Sequence, residues 1–549
     1  MSNQNFKIKG QIIDLFNRTI FSGEIVVEDG HISQIIKLNN APNQFILPGL
    51  IDSHVHIESS MLIPSRFAEM IVPRGTIAVV SDPHEIANVM GEEGIQFMID
   101  DGKTVPLKFF FGAPSCVPAT SFESSGAILN AEATEKLLDN PDIYFLSEMM
   151  NYPGVVSGDK DVMAKIDAAR KRNMKIDGHA PGLSGEDLQK YISAGISTDH
   201  ECFSLNEAKE KIALGMKIQI REGSAARNFE ALAPLFQTNP ESVMLCTDDS
   251  HPDEIEKSGH IDRLIKLGLK HEINIFDLLR SATVIPVQHY NLPVGLLRIN
   301  DPADFIVIDS LENFNILESY INGELVYNNH QGIKFSIPEI KPINRFRNNI
   351  ISSDDTIATL PKNKESVKVI EIHDGELVTS KLLWKPDICE NRIINSDIPK
   401  DILKIVVVNR YENTPPAVGF VKNMGIKQGA LASSVAHDSH NLIAIGVDDN
   451  SICEALNLLI RHQGGICAVD NNSSLLLELP VAGLMSAQNG KSVSKQYQLL
   501  NDKVHNMGSK LKAPFMALSF LSLLVIPHLK LGDKGLFDVD KFSFTSLFE

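Results

Sequence analysis

The alternation of apolar and polar positions divides the chain into stretches with different periods. Over residues 1–46, short β-branched runs (KIKGQIIDL, EIVVEDGHISQIIKL) are broken by Gly and Asp-Gly turns, the pattern of antiparallel strands. From Phe45 the period changes: compact apolar runs recur roughly every 20–35 residues, each followed by an amphipathic segment of helical length. The runs are FILPGLID, GTIAVVSD, LKFFFGAP, DIYFLSEM, MKIDGHAP, ISTDHE, KIQIREG and SVMLCTDD. PSRFAEMIV, EEGIQFMIDDG, KDVMAKIDAARKRN and DEIEKSGHIDRLIKLGLK read as the helices between them. Eight strand-plus-helix units over residues 47–295 suit a (β/α)8 TIM-like barrel, although a doubly wound open sheet alternates in the same way. No Gly-rich dinucleotide or P-loop signature interrupts the run, which favours the barrel.

Over residues 296–340 the chain is β-rich again, with DPADFIVID and then SYINGELVY around an Asn-Gly turn. These strands are expected to join the N-terminal ones in one small sheet, with the barrel inserted between its halves. The polar stretch KPINRFRNNIISSDD reads as a linker, and residues 341–549 as a C-terminal α/β domain. Its strands are expected in VKVIEIHDGELV, LKIVVVNRY, NLIAIGV and LLLELPVAG, and its clearest helix in SICEALNLLIRHQGG.

Composition narrows the function. Of 549 residues, 43% are hydrophobic and 22% charged, which is globular and not disordered. Lys+Arg 51 against Asp+Glu 69 gives a net charge of −18, so a nucleic-acid or anionic-membrane partner is not expected. The polar start MSNQNFKIKG has no signal-peptide core, and the apolar run Phe515–Ile526 stops at Pro527, short of the roughly 20 residues a membrane span needs. The six cysteines (116, 202, 246, 389, 453, 467) form no C-x-x-C pair and read as reduced thiols of a cytoplasmic protein.

The chemistry is concentrated where the barrel runs end. The first carries Asp52, His54 and His56, the fourth Glu148, the fifth His179, the sixth His200, and the eighth Asp248 with Asp249. In a barrel those ends converge on one mouth. Residues two apart on a strand share a face, so His54 and His56 can bind one ion. Two further imidazoles and two carboxylates are enough for a pair of divalent cations, and the absence of sulfur from the set suits zinc, iron or manganese. Two such ions can hold and ionise a water, with a nearby carboxylate moving its proton. Adjacent strand residues face opposite ways, so Asp248 and Asp249 cannot both look inward, and spacing does not choose between them. Asp82, Pro83, His84 and Glu85 follow the second run. They read either as a helix start, with Asp82 as N-cap, or as groups addressing the substrate or the water. Arg221 and Glu222 form an ion pair or face the substrate. In the C-terminal region, HDSHN (437–441) is a turn, a lid contact over the mouth or a second metal site. DDSHPDEIE beyond its first Asp is expected to be a solvated loop and helix start, and the apolar tail APFMALSFLSLLVIPHLKL to be core or a domain or subunit interface, with His528 structural.

PGLIDSHVHIESS resembles the first-strand signature of the amidohydrolase superfamily. SDPHEIANVMG, EMMNYPGV, DGHAPGLSG, STDHEC and LCTDD, with the C-terminal ASSVAHDSHNLIAIGVDD and IPHLKLGDKGLFDVDKF, resemble its adenine deaminase family. The resemblance spans nearly the whole chain. It implies hydrolytic deamination of adenine to hypoxanthine and ammonia in purine salvage, on a binuclear centre of manganese or iron, with zinc possible. By analogy His54 and His56 bind one ion, His179 and His200 the other, and Glu148 bridges. Asp248 completes the shell and shuttles the proton, Glu85 and His84 act as substrate-side helpers, and Asp82, Arg221 and Glu222 line the substrate site. A cytoplasmic homo-oligomer, a dimer, is expected. The alternatives are a hydrolase of the same superfamily acting on a cyclic amide or N-acyl substrate, and a non-catalytic nucleobase-binding protein.

Overall fold

At Gly49 the chain leaves one sheet and enters another. The preceding strand, Phe45–Pro48, pairs antiparallel with Phe305–Ile308, whereas Leu50–Val55 (β1) pairs parallel with Thr76–Ser81 (β2). A side chain at Gly49 would place its Cβ 2.3 Å from Ile77, so only glycine lets the two sheets approach this closely. The FILPGLID run is therefore two strands of different sheets. The computed structural model describes residues 5–549 except 225, 348, 388 and 389, so Cys389 lies outside the described residues.

The remaining barrel strands are Lys108–Ala113 (β3), Ile143–Met149 (β4), Lys175–Gly178 (β5), Thr198–Asp199 (β6), Lys217–Arg221 (β7) and Val243–Cys246 (β8). All are parallel, and they curl into two arcs, β1–β5 and β6–β8. The arcs are sealed by individual hydrogen bonds and not by continuous ladders. Between β8 and β1, the Asp248 amide donates to the His54 carbonyl (3.0 Å) and the His56 amide to the Asp248 carbonyl (3.3 Å). Between β5 and β6, the Ser197 amide donates to the Ile176 carbonyl (2.9 Å) and the Gly178 amide to Thr198 Oγ1 (3.2 Å). β1 and β2 are buried from end to end, which is why both faces of these runs are apolar except where the chemistry sits.

The small sheet has eight strands. Phe6–Asp14, Thr19–Glu28, His31–Lys37 and Phe45–Pro48 from before the barrel are joined by Phe305–Ile308 and the strands after it. A second eight-stranded sheet forms the C-terminal domain, with the helix Asp449–His462 packed on one face through Ile452, Leu456 and Leu459. VKVIEIHDGELV supplies only Val367–Glu371, which turns back as a hairpin into Ser380–Trp384. The segment DEIEKSGHIDRLIKLGLK is not one helix. It breaks at Gly259 (φ 101°) into Pro252–Ser258 and Ile261–Lys270.

The C-terminal domain sits against the barrel mouth. Its helix Gly490–Asn506 packs on Pro252–Ser258 and Pro64–Ile71. Backbone bonds join the Ser486 amide to the Met61 carbonyl (2.8 Å) and the Ile63 amide to the Ser486 carbonyl (3.2 Å). The stretch after Asp248 is consequently no solvated loop: Asp249 accepts from Ser59 Oγ (2.5 Å), and His251 Nδ1 meets the Tyr497 hydroxyl (2.8 Å). The apolar tail forms the helix Pro514–Ser519 and the buried turn after it, while His528 is half exposed and pairs with Asp540 (2.6 Å). No helix among the described residues is long and apolar enough to cross a membrane.

Candidate metal centre

Every barrel run that ends in an imidazole or carboxylate delivers it to the C-terminal rim of the strands. β1 supplies His54 and, one residue past its end, His56. β4 supplies Glu148, the first residues past β5 and β6 are His179 and His200, and Asp248 lies two residues past β8. These six side chains meet. The two oxygens of Glu148 divide between two groups of imidazoles: Oε1 lies 3.3 Å from His56 Nε2 and 3.3 Å from His84 Nδ1, and Oε2 lies 2.8 Å from His179 Nδ1 and 3.3 Å from His200 Nε2. Asp248 Oδ1 closes the other side, 3.6 Å from His54 Nε2 and 3.3 Å from His56 Nε2. The His54 and His200 rings stack at 4.0 Å.

The donor set fits divalent cations. It offers only nitrogen and oxygen, and several potential ligand atoms lie close enough to share an ion: His54 with His56 and Asp248, His54 with Glu148 and His200, and His56 with Asp82, His84 and Glu148. Both ring nitrogens of His54 are buried without a hydrogen-bond partner among the described residues, as are His200 Nδ1 and Asp82 Oδ1. A buried imidazole normally finds a partner, so this arrangement costs stability unless something else satisfies it. Burial and the neighbouring His200 and His56 push His54 well below the ordinary imidazole range, which keeps it neutral and able to ligate.

The carboxylates are held ionised. Burial alone would raise Glu148, but the imidazoles of His179, His200 and His56 hold it well below the usual range. Burial would likewise raise Asp248, and the Arg221 guanidinium reverses this. Arg221 bonds to Asp248 Oδ2 and, through its two terminal nitrogens, to both oxygens of Glu201 (2.6 and 2.9 Å). It therefore does not pair with Glu222, whose carboxylate turns away to the Phe229 amide (3.4 Å) and to Arg227 (4.0 Å). Of the two aspartates after β8, Asp248 is the one in the cluster.

Asp82 does not cap the helix His84–Met90; its Oδ2 faces His84 Nδ1 at 3.3 Å. Glu85 lies beside the cluster, its Oε1 3.3 Å from Ser59 Oγ and 3.4 Å from Nδ1 of His437, which belongs to the C-terminal domain. HDSHN is thus a contact over the mouth. Asp52 lies deeper on β1 and is tied to Thr247 and not to the cluster. Glu201 is absent from the residues singled out by spacing. Strand alternation turns it away from His200, but β6 is only two residues long and the chain has left the strand before Glu201. The available signal was a second carboxylate beside His200.

The model of the amidohydrolase family matches residues 45–326, and that of the adenine deaminase C-terminal domain matches residues 376–543. The chain is 55% identical to the adenine deaminase of Methanosarcina mazei over 552 aligned residues, covering 99% of each chain. It is 48% identical to that of Borreliella burgdorferi over 548 residues, covering 98% of this chain and 99% of the other. With the barrel, the rim of imidazoles and carboxylates, and the C-terminal domain all accounted for, the chain belongs to the adenine deaminase family of amidohydrolases.

Proposed function

We propose that this protein hydrolyses adenine to hypoxanthine and ammonia in purine salvage. The observation that carries the reading is the convergence of His54, His56, Glu148, His179, His200 and Asp248, distant in sequence, on one rim where all but the partly exposed His179 are buried. It is joined by near full-length similarity to proteins named adenine deaminase. His54 and His56 with Asp248 would hold one divalent cation and His179 with His200 the other, with Glu148 between them; manganese or iron suits this set, and zinc is compatible. When bound, such cations lower the pKa of water and polarise the group under attack.

The chain's own residues do the rest. Arg221 keeps Asp248 a carboxylate, and so a proton acceptor, for water attacking C6 of adenine. Asp248 would take one proton from that water while N1 takes the other, the C6–O bond forming to give a tetrahedral carbon; Asp248 would then pass its proton to the amine, and the C6–N6 bond breaks to release ammonia. Glu201 anchors Arg221 from the far side and keeps the guanidinium aimed. His84, braced by Asp82, and Glu85 face the same space and act on the substrate side. A neutral base needs no basic patch, which agrees with the net charge of −18.

The test is ammonia release from adenine by protein reconstituted with manganese, alongside metal analysis. Adenosine, guanine and hydantoins serve as comparators for other members of the superfamily. Full metal loading with no turnover on adenine would overturn the reading.

A further inference from the structure

The two halves of the rim are held by different means. Between β8 and β1 the backbone does it: the Asp248 and His56 amides bond across the seam, so His54, His56 and Asp248 stand on one hydrogen-bonded frame. Between β5 and β6 the bonding stops at Gly178 and Thr198. Past that point, among the described residues, no backbone hydrogen bond joins the segment 179–182 to the segment 199–203. His179 and His200 stand on those two unjoined segments.

Side chains take the place of the missing ladder. Asp199 Oδ1 accepts the Glu201 amide (2.9 Å) and, across the seam, the Ala180 amide (3.4 Å). Lys211, on the helix Leu205–Ala213, is fully buried, and its ammonium has three N–H groups with three partners. They are the Ala180 carbonyl (2.7 Å), Asp199 Oδ2 and Glu207 Oε1 (2.7 Å). Glu207 extends the tie to both loops, accepting the Gly182 amide at Oε1 (2.8 Å) and the Phe203 amide at Oε2 (3.2 Å). One ammonium thus grips the residue after His179 and the residue before His200. A buried ion pair adds little net stability, because desolvation offsets its attraction; what this one adds is a fixed separation of two chain segments.

We infer that Lys211, acting through Asp199, is a positioning residue for the second cation: it sets the spacing of His179 and His200, which no ladder sets. The inference rests on the two-cation reading above and adds an asymmetry to it. The site of His54, His56 and Asp248 is framed by backbone and does not depend on Lys211.

The experiment titrates metal-free protein with manganese and follows free Mn(II) by its electron paramagnetic resonance signal. The proteins are wild type, Lys211→Met, the near-isosteric Asp199→Asn, and Lys404→Met. Lys404 is an equally buried lysine of the C-terminal sheet, bonded to Asp449 (2.5 Å) and the Thr356 carbonyl (3.1 Å), and controls for loss of a buried ammonium as such. Expected are two tight equivalents in wild type and in Lys404→Met. In Lys211→Met and Asp199→Asn the first equivalent stays tight and the second weakens roughly 10- to 100-fold. A second equivalent as tight in both rim variants as in wild type, or equally weakened in Lys404→Met, would overturn the assignment. If Lys211→Met does not accumulate as folded protein, Asp199→Asn decides by the same readout. Two equivalents in the wild type with no turnover on adenine would instead sink the adenine reading alone.

Discussion

Arg221 contributes at the residue scale by charge placement. It is 4% exposed, fully desolvated between Asp248 and Glu201, and an ion pair of this kind is costly to break from one side. Its effect is to fix Asp248 as a carboxylate whatever its burial would prefer. Asp248→Asn keeps the shape but removes the proton-accepting oxygen. Turnover should fall by at least 10²-fold while the protein still folds, because Arg221 keeps its two bonds to Glu201. A variant retaining more than about a tenth of the wild-type rate would show that another group moves the proton. Much at this scale was legible in the chain itself. His54-x-His56 on an extended strand, and single imidazoles or carboxylates ending other apolar runs, point to one rim because strand ends in a barrel converge. Asp248 over Asp249 was not legible, since both follow β8 and the choice depends on the left-handed backbone at Asp248 (φ 55°). Neither was the parting of Arg221 from Glu222, because Arg221 finds its carboxylates across the barrel on neighbouring loops.

The elements were visible through their periods, and where expectation failed a local cause can be named. Apolar runs marked all eight parallel strands, but a run cannot reveal that Gly49 passes the chain from one sheet to another or that Gly259 cuts a helix in two. Nor does periodicity show that the barrel closes without continuous ladders. At the β8–β1 seam the work falls partly on side chains. Asp52, buried at the base of the rim, accepts from Thr247 Oγ1 (2.5 Å) and the Thr247 amide (3.1 Å), and burial raises its carboxyl to about 7. Thr247→Val preserves volume but removes the hydroxyl donor to a buried carboxyl oxygen, leaving that oxygen only His260 Nε2 at 3.2 Å, so it should lower the unfolding free energy by about 1–3 kcal/mol in denaturant titrations. A cost within error of zero would mean that the seam is held by backbone alone. The helix Val284–Tyr290 makes a second test. His289 is buried near Lys175 and Lys217, and burial first, then those cations, lower it to about 3. Its folded value lies below the unfolded 6.5, so the stability tied to its neutral form is complete above pH 6.5 and is lost as pH falls toward 3. Between pH 7 and 4.5 the wild type should lose about 2–3 kcal/mol more than His289→Gln. Equal acid sensitivity of the two thermal transitions would remove His289 from the account.

For the whole molecule, the question is why a barrel that already carries the rim needs some 200 further residues. The packing gives a physical answer. The largest hydrophobic cluster does not stop at the barrel. It runs from Val55, Leu62 and Phe67 on the barrel side into Met485, Val493 and Tyr497 on the other. Gly490 approaches Met70 so closely that an added Cβ would sit 2.4 Å from that side chain. Backbone bonds between Ser486 and the Met61–Ile63 segment extend the contact, and Arg66 donates to the Ala487 carbonyl (2.8 Å). Such a junction resembles the interior of one domain more than the polar, moderate contact expected between mobile neighbours. A barrel deprived of it would expose a large apolar patch beside its mouth and leave the Leu62 and Ser59 segment unbraced next to Glu85 and Asp249. A chain ending at residue 340 should therefore aggregate or fail to accumulate as a monomeric folded protein, even with metal supplied. Should that fragment prove soluble, show a cooperative thermal transition and bind two equivalents of manganese, the C-terminal domain would be an attachment, and the shared core would have to be explained by something other than stability.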